Sequence, residues 1–191
     1  MKCLLALSIL LATAHGSSAI SLAAEIVVSV PDQQLAVIER GKLIAKYPVS
    51  TSKFGVGDGV GTYRTPLGVL FVSARFGDYL PAGTVIKNRV STGEVVDANA
   101  PGRDAIVSRV IWLRGMEAQN RSARDRCIYI HGTPEEKRIG RPASFGCIRM
   151  RSKDVIALYD LAHIGMHVTI TQRKIDNFVL PDESNVFARS D

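Results

Sequence analysis

The sequence predicts a mainly β domain: a β-sandwich or partly closed barrel of mixed sheets with one or two short helices. Three observations predict it. Short β-branched runs bounded by turn residues recur through the middle of the chain, only two segments carry a helical pattern, and no internal repeat or low-complexity tract breaks the series. A length of 191 residues fits one domain, and 46% hydrophobic with 22% charged residues excludes wholesale disorder.

Glu25 to Val30 (EIVVSV) is the first β-branched run, and Pro31-Asp32-Gln33-Gln34 is turn chemistry. Leu35 to Ile38 is a second run and Arg40-Gly41-Lys42 a second turn. Leu43 to Ser50 (LIAKYPVS) is a third strand, completing an antiparallel meander. Gly55, Gly57, Gly59 and Gly61 mark a flexible loop. Thr65-Pro66-Leu67-Gly68 is a turn leading into a strand over Val69 to Ala74. Residues 77–103 are rich in Gly, Pro, Asn and Asp and predict a long irregular insertion, with apolar islands at 84–86 and 94–96. Ala105 to Leu113 and Cys127 to Ile130 (CIYI) read as strands. A short helix is expected from Pro134-Glu135-Glu136 with Thr133 as N-cap. A longer one is expected over Ser152 to Ala162 with Ser152 as N-cap and Val155, Ile156, Leu158, Tyr159 and Ala162 on one face. Met166 to Thr171 is the last strand. Residues 172–191 lack a period of 2 or 3.6 and are read as a tail lying over the surface or partly disordered.

Residues 1–24 stand apart. Lys2 is a minimal positive region, Cys3 to Ala14 an apolar run too short to span a bilayer comfortably, and small residues follow. This is the pattern of a signal peptide, with cleavage after Ala19 or after Ala23 both open. The expectation is an exported protein, periplasmic or secreted to the cell wall, with residues 25–171 as the functional domain. Its loss takes the net charge from +6 to +5 and leaves Cys127 and Cys147 of the three cysteines.

The chemistry is concentrated in Ile130 to Met150 (IHGTPEEKRIGRPASFGCIRM). His131 ends a strand, and Cys147 stands sixteen positions later. Gly140, Pro142 and Gly146 between them let the chain double back. An imidazole that takes the thiol proton and a thiolate that attacks are the minimum for nucleophilic thiol catalysis. Gly146 permits a sharp turn that aims nearby N–H groups at a developing oxyanion.

The run His131-Gly132-Thr133 … Ser144-Phe145-Gly146-Cys147-Ile148-Arg149-Met150 resembles the signature of the L,D-transpeptidase catalytic domain, also called the YkuD domain. Tyr47-Pro48-Val49-Ser50-Thr51 and Thr65-Pro66-Leu67-Gly68 resemble that family's earlier motifs, so the likeness runs from Glu25 to Thr171. The resemblance implies a mainly β fold and an enzyme that cross-links peptidoglycan, in cell-wall biogenesis and cell shape. The Cys attacks the carbonyl of the third stem residue of a tetrapeptide donor and expels the fourth, D-Ala. An amine of a neighbouring stem resolves the thioester into a 3→3 link, or another D-amino acid exchanges in. By position, Cys147 is then the nucleophile, His131 the base and acid, and Gly132 the carbonyl that orients the imidazole. Gly146 and Cys147 supply oxyanion donors, with Ser144 in the same substrate-binding turn. Arg149 holds carboxylates or orders the loop. Carbapenem-type inhibitors are expected, and no metal or organic cofactor. Phe145 stands where many members have His, so any acceptor-side role of that His is missing.

Two rival functions remain: hydrolytic use of the same acyl-enzyme, as an L,D-carboxypeptidase or an amidase releasing a wall-linked protein, and an inactive wall-binding module. Cys127 reads as a packing residue. If it shares a strand face with residue 129 and His131, it lies about 13 Å along the strand from His131, too far to bridge Cys147. His163 and His167 have the spacing of a metal pair but no acid or Cys beside them, and Trp112 reads as packing. Residues 121–153 hold nine basic side chains against three acids, a charge that would steer anionic wall polymers or simply coat a solvated face. Nothing points to nucleic acid.

Overall fold

The computed structural model describes residues 23–181. Predictions about residues 1–22, including the apolar run, Cys3 and the Ala19 cleavage option, and about residues 182–191 lie outside the described residues.

The molecule is built on one mixed ten-stranded sheet that does not close. The meander comprises β1 (Glu25–Ser29), β2 (Gln34–Glu39) and β3 (Lys42–Pro48). β4 (Gly68–Phe76), the hairpin β5 (Thr84–Lys87) and β6 (Val90–Val95), and β7 (Val107–Gly115) follow. β8 (Tyr129–Gly132), β9 (Ile148–Met150), helix α1 (Ser152–Leu161) and β10 (His167–Thr171) complete it. The sheet order is β3-β2-β1-β10-β4-β7-β5-β6. β8 pairs with the other edge of β7, and β9 extends from β8. Two pairings are parallel, β1 with β10 and β8 with β9.

The packing follows the two-residue alternation of the strands. Ile26, Val28, Leu70, Val72, Ile111, Leu113, Ile130, Ile148 and Met150 point to one face, where Val155, Leu158 and Tyr159 of α1 and its C-cap Ala162 cover them. Burying each such aliphatic side chain is worth about 1.5–3 kcal/mol. The opposite face of β7 and β8 carries a smaller cluster of Ile86, Val110 and Tyr129, with Trp112, Cys127 and Cys147 packed against it. The β8–β9 end of this second face holds the candidate site.

The structure departs from the sequence reading at four places. The 77–103 insertion is not irregular throughout, because it folds into the β5–β6 hairpin. Cys127 is not on a strand: its φ is +55° in a turn closed by Cys127 N–H to the Arg124 carbonyl and Ile128 N–H to the Ala123 carbonyl. β8 therefore begins only at Tyr129. The first helix is a single 3-10 turn over Glu136–Arg138, and Thr133 is not its N-cap; its Oγ1 accepts from the Glu135 N–H instead. The N-cap of α1 is Arg151, and the Ser152 N–H is satisfied by the Glu136 carboxylate at 2.9 Å. Residues 172–181 hold a 3-10 turn, Ile175–Asn177, that packs on β1 and β2. Ile175 is buried against Val27, Ala36 and Ile38, and Leu180 N–H bonds back to the Gly41 carbonyl.

Candidate active site

The parallel pairing of β8 and β9 sets His131 opposite Arg149 and Ile130 opposite Ile148. Alternation then sends Tyr129, His131, Cys147 and Arg149 to one face while Ile130, Ile148 and Met150 enter the core. Cys147 falls just ahead of β9, one strand over and two residues along from His131. That offset corresponds to about 8 Å between Cα atoms, a gap two facing side chains can close.

The turn before Cys147 is tied down from three directions. The Ser144 hydroxyl donates to the Cys147 carbonyl at 2.6 Å and accepts from the Gly146 N–H at 3.2 Å. The Gly146 N–H is thus engaged within the turn. Thr65 Oγ1 donates to the Gly146 carbonyl at 3.0 Å, and the Ala143 and Ser144 N–H groups both reach the Thr51 carbonyl. Gly146 has φ +123°, a backbone conformation that disfavours any side chain. Gly132 is needed for another reason: a Cβ there would sit 2.5 Å from the Val107 carbonyl oxygen. The two upstream motifs, around Ser50-Thr51 and Thr65, thus converge on the cysteine turn.

The Cys147 thiol donates to the Cys127 carbonyl at 3.3 Å and receives the Tyr129 N–H at 3.4 Å. The His131 Nδ1 lies 2.9 Å from the Gly132 carbonyl. Because that oxygen only accepts, Nδ1 carries the proton and Nε2 keeps its lone pair. No hydrogen bond joins the thiol and the imidazole among the described residues. Burial pushes the Cys147 thiol up to about 11, against the lowering pull of the Tyr129 N–H and of Arg149 and Arg126. Burial likewise pushes His131 down to about 4, opposed by its bond to Gly132 and aided by the positive charge of Arg149. The resting pair is therefore neutral thiol and neutral imidazole, not an ion pair.

Arg149 is fully engaged within the protein. Its guanidinium, 7% exposed, pairs with Asp104 at 2.7 Å and Glu135 at 3.0 Å, so it orders the loops on either side. Arg126, equally buried, binds Asp58 at 2.9 Å and the Gly57 and Arg64 carbonyls, with Ser122 also on Asp58. The net positive charge of residues 121–153 is thus partly internal. Sequence reasoning missed the Arg126–Asp58 clamp, whose partners are 68 residues apart. It also missed the aromatic collar. Phe54, Tyr63 and Phe145 pack ring to ring at 5.7–6.0 Å, with the Lys53 ammonium 4.3 Å above Phe145. A cavity of about 220 Å³ lies between that collar, Val60, Arg126, Ile128 and Cys147. A second, of about 190 Å³, is lined by Ile86, Arg89, Val110, Cys127 and Tyr129. Trp112 is a packing residue, edge-on to Tyr129 with its N–H on the Arg124 carbonyl. Among the described residues, no group of three His, Cys, Asp or Glu could hold a metal ion, and no helix is long and apolar enough to cross a membrane.

A mixed open sheet carrying a Cys and a His on one face narrows the class, and comparison with known proteins defines it. The family model of the L,D-transpeptidase catalytic domain (YkuD) matches residues 23–170, and the chain belongs to that family. A Bacillus subtilis (strain 168) protein provisionally named L,D-transpeptidase YqjB is 39% identical over 61 residues, 31% of this chain and 32% of the relative. L,D-transpeptidase 3 from Mycobacterium tuberculosis, solved with a faropenem-derived adduct, superposes with a TM-score of 0.50 at 16% identity, covering 78% of this chain and 60% of that one. An L,D-transpeptidase from Xylanimonas cellulosilytica gives 0.50 at 18% identity, over 79% and 61%. At such identities the superpositions establish the shared fold. The chain spans about a third of the Bacillus relative's length and about three-fifths of each solved structure.

Proposed function

We propose that this protein is a cysteine L,D-transpeptidase of peptidoglycan stem peptides, with Cys147 as nucleophile and His131 as general base and acid. The observation that carries the reading is the β8–β9 register, which puts both side chains on one face with the thiol at the wall of a cavity. Because the pair rests neutral, the thiol proton leaves as the sulfur attacks. The Cys147 side chain turns from the Cys127 carbonyl toward His131, and Nε2 accepts the proton while Gly132 holds Nδ1–H. The carbon–sulfur bond forms at the carbonyl of the third stem residue, and the oxyanion is met by the Cys147 N–H, joined by the Gly146 N–H once that group exchanges its bond to the Ser144 hydroxyl for the oxyanion. Nε2 then returns the proton to the leaving D-Ala amine. An incoming amine reverses the sequence and forms the 3→3 link. Ser144 shapes the turn that presents these N–H groups, and Arg149 fixes its far end.

The same reading has the protein act outside the cytoplasm, on the signal-like pattern of residues 1–24. It also expects carbapenem-type β-lactams to acylate Cys147. Purified protein and Cys147→Ala are incubated with disaccharide-tetrapeptide, and the products are separated and weighed. The wild type should give 3→3 dimers and free D-Ala, and Cys147→Ala neither. Tripeptide without dimer would assign hydrolysis instead, and undiminished product from Cys147→Ala would overturn the reading.

A further inference from the structure

Among the described residues, Cys127 is the thiol that the catalytic reading leaves without a task, and it adjoins the proposed nucleophile. The Cys147 Sγ is 3.3 Å from the Cys127 carbonyl oxygen. A carbonyl oxygen lies about 2.4 Å from its own Cα, so the sulfur is within roughly 6 Å of the Cys127 Cα. Both thiols are free, both are half-buried, and both pack on the same cluster around Tyr129. The Cys127 sulfur makes a long contact, 4.0 Å, to the Asp125 carbonyl and also interacts with the Tyr129 side chain. It sits in a turn with φ +55° and not in a strand, so its backbone is not fixed by a sheet ladder. An ordinary disulfide spans Cα atoms up to about 7 Å apart, and with the Cys147 sulfur already this near the Cys127 backbone, rotation of the two side chains and a shift of this turn would bring the pair to that geometry.

We infer that Cys127 and Cys147 form a reversible intramolecular disulfide, a modification site that switches the proposed nucleophile off under oxidising conditions and protects it from irreversible oxidation. The inference rests on the nucleophile assignment above. With a small-molecule disulfide as oxidant the step balances. The Cys127 thiolate attacks one sulfur of glutathione disulfide, forming a mixed disulfide and releasing one glutathione. The Cys147 thiol then loses its proton to a base and attacks the Cys127 sulfur, expelling the second glutathione. Two protein thiols are oxidised and one glutathione disulfide is reduced to two thiols. Bridging would stop catalysis because the sulfur electrons needed for attack are in the S–S bond. Without a partner thiol, the same cysteine can proceed to the sulfinic and sulfonic acids, which reductant does not restore.

The test treats the full chain and Cys127→Ser with graded glutathione disulfide, quenches with acid, alkylates, and digests with trypsin. The cuts after Arg126 and Arg138 put Cys127 and Cys147 on separate peptides, 127–137 and 139–149. The wild type should yield a linked pair of these peptides, with transpeptidase activity falling at least tenfold in proportion and returning with dithiothreitol. Cys127→Ser, each sample scaled to its own reduced activity, should give no linked pair. After hydrogen peroxide it should recover less activity with dithiothreitol than the wild type. Absence of the linked pair while Cys147→Ala remains inactive overturns the disulfide alone. A linked pair with activity intact overturns the nucleophile assignment.

Discussion

Alkylation of Cys147 tests the resting protonation state of the pair quantitatively. With the thiol pushed up to about 11 by burial, only about one molecule in 10⁴ carries a thiolate at pH 7. An ordinary cysteine of pKa near 8.5 is about 3% ionised there, roughly 300-fold more. The more basic thiolate is intrinsically some ten- to twentyfold more nucleophilic, which offsets part of that deficit. Iodoacetamide should therefore modify Cys147 about 15–30-fold more slowly than free cysteine at pH 7. The rate should climb tenfold per pH unit from pH 6 to pH 10. The assay follows loss of the unmodified 139–149 peptide by mass spectrometry, which separates Cys147 from Cys127. A fast reaction with a plateau between pH 5 and pH 7 would mean a preformed thiolate–imidazolium pair and would refute the desolvation argument.

Three further outcomes follow from the same geometry. His131 is held near 4 against an ordinary 6.5, so between those values the unfolded chain binds the extra proton. Stability should then rise with pH across that window, by roughly 3 kcal/mol in all, and be fully present above it; denaturant titrations of His131→Gln should show a much flatter slope. Arg149→Met leaves Asp104 without its partner and Glu135 with Arg138 alone, and should cost about 2 kcal/mol in urea unfolding, with Arg149→Lys recovering only part because one ammonium does not reproduce the fork. Gly132→Ala drives a methyl into the Val107 carbonyl oxygen at 2.5 Å; it should lower the thermal midpoint and cut product formation at least tenfold, since the same residue positions the imidazole.

Strands β1, β2, β4 and β7 show themselves through β-branched runs because one or both of their faces are buried. The β5–β6 hairpin does not, because all of β6 is exposed and no apolar alternation is needed to hold it. Cys127-Ile128-Tyr129-Ile130 looks like a strand by composition. Its first residue is nevertheless turned to positive φ by hydrogen bonds within the preceding loop, with no Gly or Asn to signal it. The spacing of His131 and Cys147, with Ile130 and Ile148 alternating beside them, is what puts the two on a common face. Which partners occupy Arg149 and Arg126 depends on contacts 14 to 69 residues away, beyond any local pattern. The neutral resting pair is also invisible in sequence, since it arises from how far the fold withdraws the two groups from water.

The most direct measurement of the central claim is the mass of the protein after brief exposure to a carbapenem, followed by tryptic mapping. The account predicts a single covalent adduct carried on the 139–149 peptide at Cys147, absent in Cys147→Ala and formed much more slowly in His131→Gln. An adduct on another residue, or a wild-type protein that turns over tetrapeptide yet takes no adduct at Cys147, would contradict it.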